Sequence, residues 1–308
     1  MPEFRVTSAR FSDASEQEGG LVGWSQRYSQ LRPGRYRGSL ETLEFEGVSI
    51  SRERVEVAVE EATCAPQGSL VFLHSLAQEN VWRVNAVSLG SSEVSLLKGG
   101  HEVHAALAEG SDVLITRIDA ERLGELPAPR SCVTTVEKLP QAEAVMGWLL
   151  TLMAAFATEA GCPGEDLVRF LPELICDKLS FLYSAIIRRD GHQGLPSAHD
   201  YALYRRAREI VEDQPNEPMS VSALAGRLSV PAELLRFAFV ETVGIGPGAW
   251  LRQKRLDGAR RDLLTARHSG IGVSEVAMKW GFWHLGRFSA YYAELYGESP
   301  SQTLGRPG

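Results

Sequence analysis

Cysteine is scarce in this chain of 308 residues, and the four present, Cys64, Cys132, Cys162 and Cys176, form no CxxC pair and no zinc-like spacing. That excludes a disulfide-stapled fold or a zinc ribbon and leaves reduced thiols of a cytoplasm as the expectation. Long hydrophobic runs are missing as well. No stretch approaches the about 18 apolar residues of a membrane-spanning helix, and the polar start MPEFRVTSARFSD lacks a signal peptide's apolar region. A cytoplasmic protein with no membrane partner is therefore expected. Also lacking are a Ser-His-Asp set, a phosphate-cradling glycine loop and a paired-carboxylate motif, so the chain is not read as an enzyme and no cofactor is expected.

Positive charge is in deficit too, at a net −7, but the deficit is uneven. Residues 1–198 carry 18 Lys and Arg against 27 Asp and Glu, whereas residues 199–308 carry 14 against 12. An acidic front joined to a mildly basic back hints at nucleic-acid binding by the C-terminal part.

What is present divides at Pro140. From Leu40 the text reads as short strands: LEFEGVSIS, with a shift of phase at Gly47 that suggests a bulge, then VEVAVE, SLVFLHSL, VWRVNAVSL and DVLITRID, separated by turn residues. Short, closely spaced strands predict a small antiparallel barrel or sandwich. After Pro140, AEAVMGWLLTLMAAFATEA and EDLVRFLPELICDKLSFLYSAI read as a helical pair. Leu167, Phe170, Leu171, Leu174, Ile175 and Leu179 recur at helical spacing, more apolar surface than a solvated pair needs. The pair is expected to pack on the barrel or on a second subunit. A Gly- and Pro-rich linker, RRDGHQGLPSAHD, then marks a boundary between domains at 1–190 and 200–308.

The C-terminal domain repeats itself. Ser220 suits an N-cap, and Val221, Leu224, Ala225 and Leu228 fall on one helical face; Val273, Val276, Ala277 and Trp280 repeat that template. Each short helix leads through a turn into a second, LLRFAFVETVG and RFSAYYAELYG. Leu235 and Phe288, Phe239 and Tyr292, Gly244 and Gly297, and Pro247 and Pro300 all stand fifty-three residues apart. The glycines suit left-handed C′ positions. This is a helix-turn-helix written twice. PGAWLRQKRLDGARRDLLTA lies between the copies and reads as one rod of about 28 Å at roughly 1.5 Å per residue. Major-groove faces of one duplex recur about every 34 Å, so such a rod suits two readers on one side of DNA.

The tail, Tyr201 to Leu304, resembles the DNA-binding domain of AraC/XylS-type transcriptional regulators. The resemblance rests on A-x-x-W-G-F at Ala277–Phe282, the segment Arg287–Tyr292, and G-x-x-P at Gly297–Pro300. The front half resembles, more loosely, the cupin-like effector-binding domain of such regulators. Together they imply an α+β chain: an N-terminal cupin-like antiparallel β-barrel with a helical pair, then an all-α double helix-turn-helix domain. They also imply an effector-responsive activator of transcription, with promoter DNA, RNA polymerase, a small-molecule effector and a second copy of the chain as partners.

On that resemblance the first recognition helix presents Glu233, Arg236, Phe237 and Val240, and the second Leu285, Gly286, Arg287, Ser289 and Ala290. Arginine can bridge guanine N7 and O6, which favours Arg236 and Arg287 as base readers. Phe237, Val240 and Ala290 depart from the basic or polar residues frequent in the family, as does the ending TLGR. Arg252 and Arg255, with Lys254, Arg260 and Arg261, stand on the rod, either as phosphate contacts or as a solvated face. Trp24, Tyr28, Phe72 and Trp82 are candidates to line an effector pocket, or else core. GGHEVHA places His101 and His104 at an offset that splits them between strand faces, so no metal site is expected. The rival readings are a cupin-type metalloenzyme with a helical appendage and a regulator that needs no ligand.

Overall fold

The computed structural model describes residues 4–305 except 78–80, 92, 125–126, 128, 130, 138, 158–164, 190–197 and 267–269. Cys162 and most of the expected linker lie outside the described residues.

The front half is two antiparallel sheets. In chain order the elements are β1 (Arg5–Phe11), the short helix α1 (Ala14–Gln17), β2 (Ser25–Gln30), β3 (Gly38–Phe45), β4 (Val48–Val55), β5 (Val59–Cys64), β6 (Ser69–Ser75), β7 (Trp82–Val84), β8 (Val87–Leu89), β9 (Glu93–Lys98), β10 (Glu102–Leu107), β11 (Ser111–Asp119) and β12 (Val133–Glu137). Seven strands pair in the order β1-β3-β4-β11-β6-β9-β12, and five in the order β2-β5-β10-β7-β8. The two sheets face each other as a sandwich, so the barrel expected from the sequence is not closed.

Three strand readings are corrected, one of them VWRVNAVSL, which is the hairpin of β7 and β8 with Val84 paired to Val87. LEFEGVSIS is not a bulged strand but a hairpin: Phe45 pairs with Val48, and Gly47 takes a positive φ of 75° in the two-residue turn. VEVAVE is not one strand, because Val55 ends β4 in the larger sheet and Val59 opens β5 in the smaller. Its alternation survives because Val55, Val57 and Val59 all enter the same inter-sheet core.

That inter-sheet core holds Tyr28, Val71, Trp82, Leu97 and Ile115, with Trp24 packed at its margin. The opposite face of the larger sheet carries Phe72, Leu96 and Leu114 against α2 (Pro140–Ala157) and α3 (Glu165–Arg189). In α3 the expected apolar positions split into two faces. Leu171, Ile175 and Leu179 are buried on the sheet, while Leu167, Phe170, Leu174 and Phe181 are 45–69% exposed.

The C-terminal half runs α4 (Ala198–Asp213), α5 (Val221–Leu228), α6 (Ala232–Val243), α7 (Pro247–Thr265), α8 (Val273–Lys279), α9 (Leu285–Tyr296) and α10 (Pro300–Leu304). The first repeat buries Leu224, Leu235, Phe239 and Trp250 in one core, which also takes Leu31 and Ala106 from the sheets. The second repeat buries Leu263, Val276, Phe282, Phe288 and Tyr292 in a separate core. Spacer α7 runs unbroken through both. It carries Gly258 beneath the Trp280 ring, where an added Cβ would sit 2.0 Å from a ring carbon. Only glycine lets the second repeat approach the spacer that closely.

Candidate nucleic-acid interface

Each helix-turn-helix unit is assembled by local chemistry that the sequence supplies. Ser220 accepts from the Ala223 N–H at 3.1 Å and starts α5, and Ser229 leaves that helix in a left-handed conformation, φ 56°. Helices α6 and α9 end at Gly244 and Gly297, with φ of 72° and 66°, as the duplicated pattern requires. Phe239 and its counterpart Tyr292 are fully buried and fix the second helix of each unit on its core. The opposite face of each second helix is then turned outward.

On α6 the exposed side chains are Ala232, Glu233, Leu234, Arg236, Phe237, Val240 and Glu241, and Arg236 Nη1 sits 3.3 Å from Glu233 Oε1. On α9 the exposed residues are Leu285, Gly286, Arg287, Ala290, Ala293 and Glu294, with Ser289 half-buried. The structure thus brings Glu233, Arg236 and Phe237 together on one surface; on α9, Arg287 and the half-buried Ser289 stand two residues apart, on either flank of the outward face. Two large apolar outward residues escaped the sequence reading: Leu234, and Trp283 in the turn before α9, which is 72% exposed. The aromatic crowding around Trp283 was the available signal, since Phe282 and Phe288 already fill the core.

The spacer cations find partners within the protein. The Arg252 guanidinium lies 4.9 Å from the Tyr291 ring centroid, and that of Arg255 4.8 Å from Phe282, so both brace the second unit. Lys254, Arg260 and Arg261 turn instead toward the N-terminal sheets and make neither a solvated face nor a free phosphate-facing one. Lys254 Nζ is 3.0 Å from Glu60 Oε2, and Trp250 Nε1 donates to the same oxygen at 2.8 Å. Glu60 Oε1 accepts from Arg208 Nη1 at 2.7 Å and from the Tyr204 hydroxyl. Burial alone would push Glu60 up, but Lys254 and Arg208 outweigh it and hold the carboxyl at about 2. One carboxylate of β5 thereby collects α4 and α7 of the first unit.

The second unit is held by the reverse arrangement. Arg260, 5% exposed, donates from Nε to Asp13 Oδ2 at 2.6 Å and from Nη1 to Glu298 Oε1 at 2.9 Å, and it lies 4.4 Å from the Tyr296 centroid. Arg261 reaches Glu18 and the Tyr28 carbonyl. Asp13, Glu18 and Tyr28 lie more than two hundred residues away from these arginines in sequence. Part of the basic surplus of the tail is therefore answered by the acidic front.

The proposed effector-pocket residues separate. Tyr28 and Trp82 are buried in the inter-sheet core with Trp24 at its edge, whereas Phe72 points to the other side of the larger sheet, toward α2 and α3. Beside Tyr28 lie two buried carboxylates on facing sheets. The Tyr28 hydroxyl donates to Glu53 at 2.5 Å, and Gln26 Nε2 donates to Glu61 at 2.9 Å. Burial, reinforced by Glu53, pushes Glu61 up to about 8. His101 falls outside β10 and is exposed; His104 is buried, 2.9 Å from the Tyr201 hydroxyl, and burial pushes it down to about 3, so it is neutral.

A family model described as a helix-turn-helix domain matches residues 224–306. Over 102 residues the chain is 35% identical to the probable thc operon regulatory protein of Rhodococcus erythropolis, covering 33% of this chain and 31% of that one. Over 128 residues it is 30% identical to the XylDLEGF operon transcriptional activator 3 of Pseudomonas putida, covering 42% and 37%. The matched segments thus span less than two fifths of either relative. Among solved structures, the AraC-like transcriptional activator CuxR aligns over 89% of this chain and all of that one, at 14% identity and a TM-score of 0.43. The C-terminal part of the chain is an AraC/XylS-type helix-turn-helix domain.

Proposed function

We propose that the protein is a sequence-specific transcriptional regulator, an effector-responsive activator that reads two neighbouring major-groove segments through α6 and α9. The observation that carries this reading is the pair of helix-turn-helix units on one unbroken spacer, each with its second helix turned outward. Arg236 and Arg287 are assigned to base edges, with Glu233, Phe237 and Ser289 beside them. Arg252 and Arg255 act by bracing the second unit against the spacer. A reader of this kind gains affinity from phosphate neutralisation, so its binding falls with salt.

The domain boundary is placed in the segment between α3 and α4, with sensing and dimerisation before it and DNA binding after it. The exposed stripe Leu167, Phe170, Leu174 and Phe181 on α3 supports a homodimer, since large apolar side chains aligned along one helix face suit a partner helix. A small-molecule effector is supported by a cleft of about 390 Å³ lined by Val81, Arg83, Ala106, Leu107 and Val243, residues of both halves. A ligand there changes DNA affinity to the extent that it favours one arrangement of the halves. Recruitment of RNA polymerase completes the activator reading.

The test is binding of the full chain to DNA from around its own gene across a salt series. The expected result is a specific complex whose affinity falls as salt rises. Equal affinity for that DNA and for scrambled duplex would defeat the proposal.

A further inference from the structure

Two adjacent residues at the end of β2 reach different reading units. Leu31, 4% exposed, is part of the core of the first unit. Gln30, 2% exposed, places its side-chain amide 2.6 Å from the Leu295 carbonyl near the end of α9. The spacer joins them, with Gln253 Nε2 donating to the Leu31 carbonyl at 2.9 Å.

The turn that follows, Arg32-Pro33-Gly34-Arg35, continues in both directions. Arg32 Nη2 donates to the Gly244 carbonyl and Arg35 Nε to the Gly297 carbonyl, each at 3.3 Å. The Gly34 N–H donates to Leu295 at 3.0 Å. Gly244 and Gly297 are the two cap glycines related by the sequence repeat, so one turn holds equivalent points of both copies. The fit is close: a Cβ on Gly297 would lie 2.9 Å from Arg35 Cγ, and one on Gly34, φ 146°, would lie 2.8 Å from Val57 Cγ1.

The two units have separate cores joined by α7. A helix fixes distance along its axis but bends and twists at little cost, and Glu60, Asp13 and Glu18 anchor α4 and the spacer itself, not the ends of α6 and α9. A second link across the ends of α6 and α9 removes that freedom. It grips their C-termini and leaves the outward residues Arg236 and Arg287 uncovered.

We infer that residues 30–35 are positioning residues that set the separation and rotation of the two recognition helices, and hence the half-site spacing that the protein accepts. The inference rests on the DNA-reading function proposed above. The test enriches duplexes from a random pool with the full-length protein and then inserts one base pair between the two half-sites. Wild type is expected to lose about tenfold in affinity on insertion. The variant Gln30→Leu/Arg32→Ala/Arg35→Ala should lose about twofold or less on insertion, while keeping the uninterrupted site within about threefold of wild type. Arg32→Ala/Arg35→Ala alone, altering two exposed side chains, should fall between them, and Arg32→Lys/Arg35→Lys should restore the wild-type penalty. An unchanged spacing penalty in both Ala variants, or equal weakening at every spacing, overturns the inference and leaves DNA reading intact. A wild-type chain that enriches no duplex overturns the DNA reading itself, and this inference with it.

Discussion

The two helix-turn-helix units share a frame and differ in almost everything laid on it. Their caps and core aromatics coincide at a spacing of fifty-three residues, yet Leu234, Arg236, Phe237 and Val240 of the first stand where the second has Arg287, Ser289, Ala290 and Ala293. The first reading face is bulky and largely apolar, and the second is small around one arginine. Their attachments are inverted as well. A buried carboxylate, Glu60, gathers cations of the first unit, while a buried cation, Arg260, gathers carboxylates around the second. Backbone geometry is what the duplication preserved; surface chemistry was free to diverge, so the two half-sites should differ in sequence.

The largest effects should come from the inverted anchors. Glu60→Ala takes from Arg208 and Lys254 the buried carboxylate they share, leaving Arg208 its Glu212 pair at 2.7 Å, and Arg260→Ala removes the buried cation shared by Asp13 and Glu298. Breaking a buried pair from one side costs about 3–5 kcal/mol. Denaturant unfolding should show losses of this order in each, with the first unit's Trp250 reporting Glu60→Ala and the second unit's Trp280 reporting Arg260→Ala. Simultaneous loss of both tryptophan signals in either variant would show that the units are not separately anchored.

The next residue along β5 gives the contrasting case. Glu60 faces the helices and is held at about 2; its stabilising contribution is complete above the ordinary value of 4.5 and is lost as pH falls from there toward 2. Glu61 faces the interior, where burial and Glu53 raise it to about 8. The native state then binds the extra proton, so stability falls as pH climbs from 4.5 to 8. Glu61→Gln removes that charge and should raise stability more at pH 8 than at pH 5. Thermal unfolding at the two pH values checks it, and an equal shift at both would refute the assignment.

Between the reading faces, Arg236→Ala and Arg287→Ala should each cost about 1–3 kcal/mol of discrimination, at different half-sites. Competition binding with each half-site scrambled in turn separates them. Loss at the same half-site for both would contradict the assignment of one unit to each groove segment.

Much of this architecture was legible. Capping residues, apolar spacing and the repeat are local signals, and they placed both units and the spacer. Alternation found the stretches that hold β3 to β8 and β11 but missed β1, β2, β9, β10 and β12, and it does not encode which strands pair, so sheet closure and the crossing from Val55 to Val59 were hidden. The spacer cations were misjudged for the same reason. Lys254, Arg260 and Arg261 find partners at Glu60, Asp13 and Glu18, and no periodic pattern links positions so far apart. The acidic front and basic back were the trace of that pairing, read at first as a sign of nucleic acid alone.

The smallest predicted effect concerns the way each unit begins. In the first, the Ser220 hydroxyl accepts from the Ala223 N–H. The corresponding residue in the second is Gly272, which has no side chain to offer; there Glu275 reaches back and accepts from the Gly272 N–H at 2.7 Å. One copy satisfies an orphan amide inside the first turn and the other the amide that precedes it. Ser220→Ala should therefore cost about 1 kcal/mol, within the range for lost N-caps. Glu275→Ala should cost less, because the amide it exposes is already open to water. Denaturant midpoints of the two variants, each read through its own unit's tryptophan, measure the difference. If Glu275→Ala were the more damaging, the side chain would be ordering the second unit beyond its cap, and the two copies would differ in construction as well as in surface.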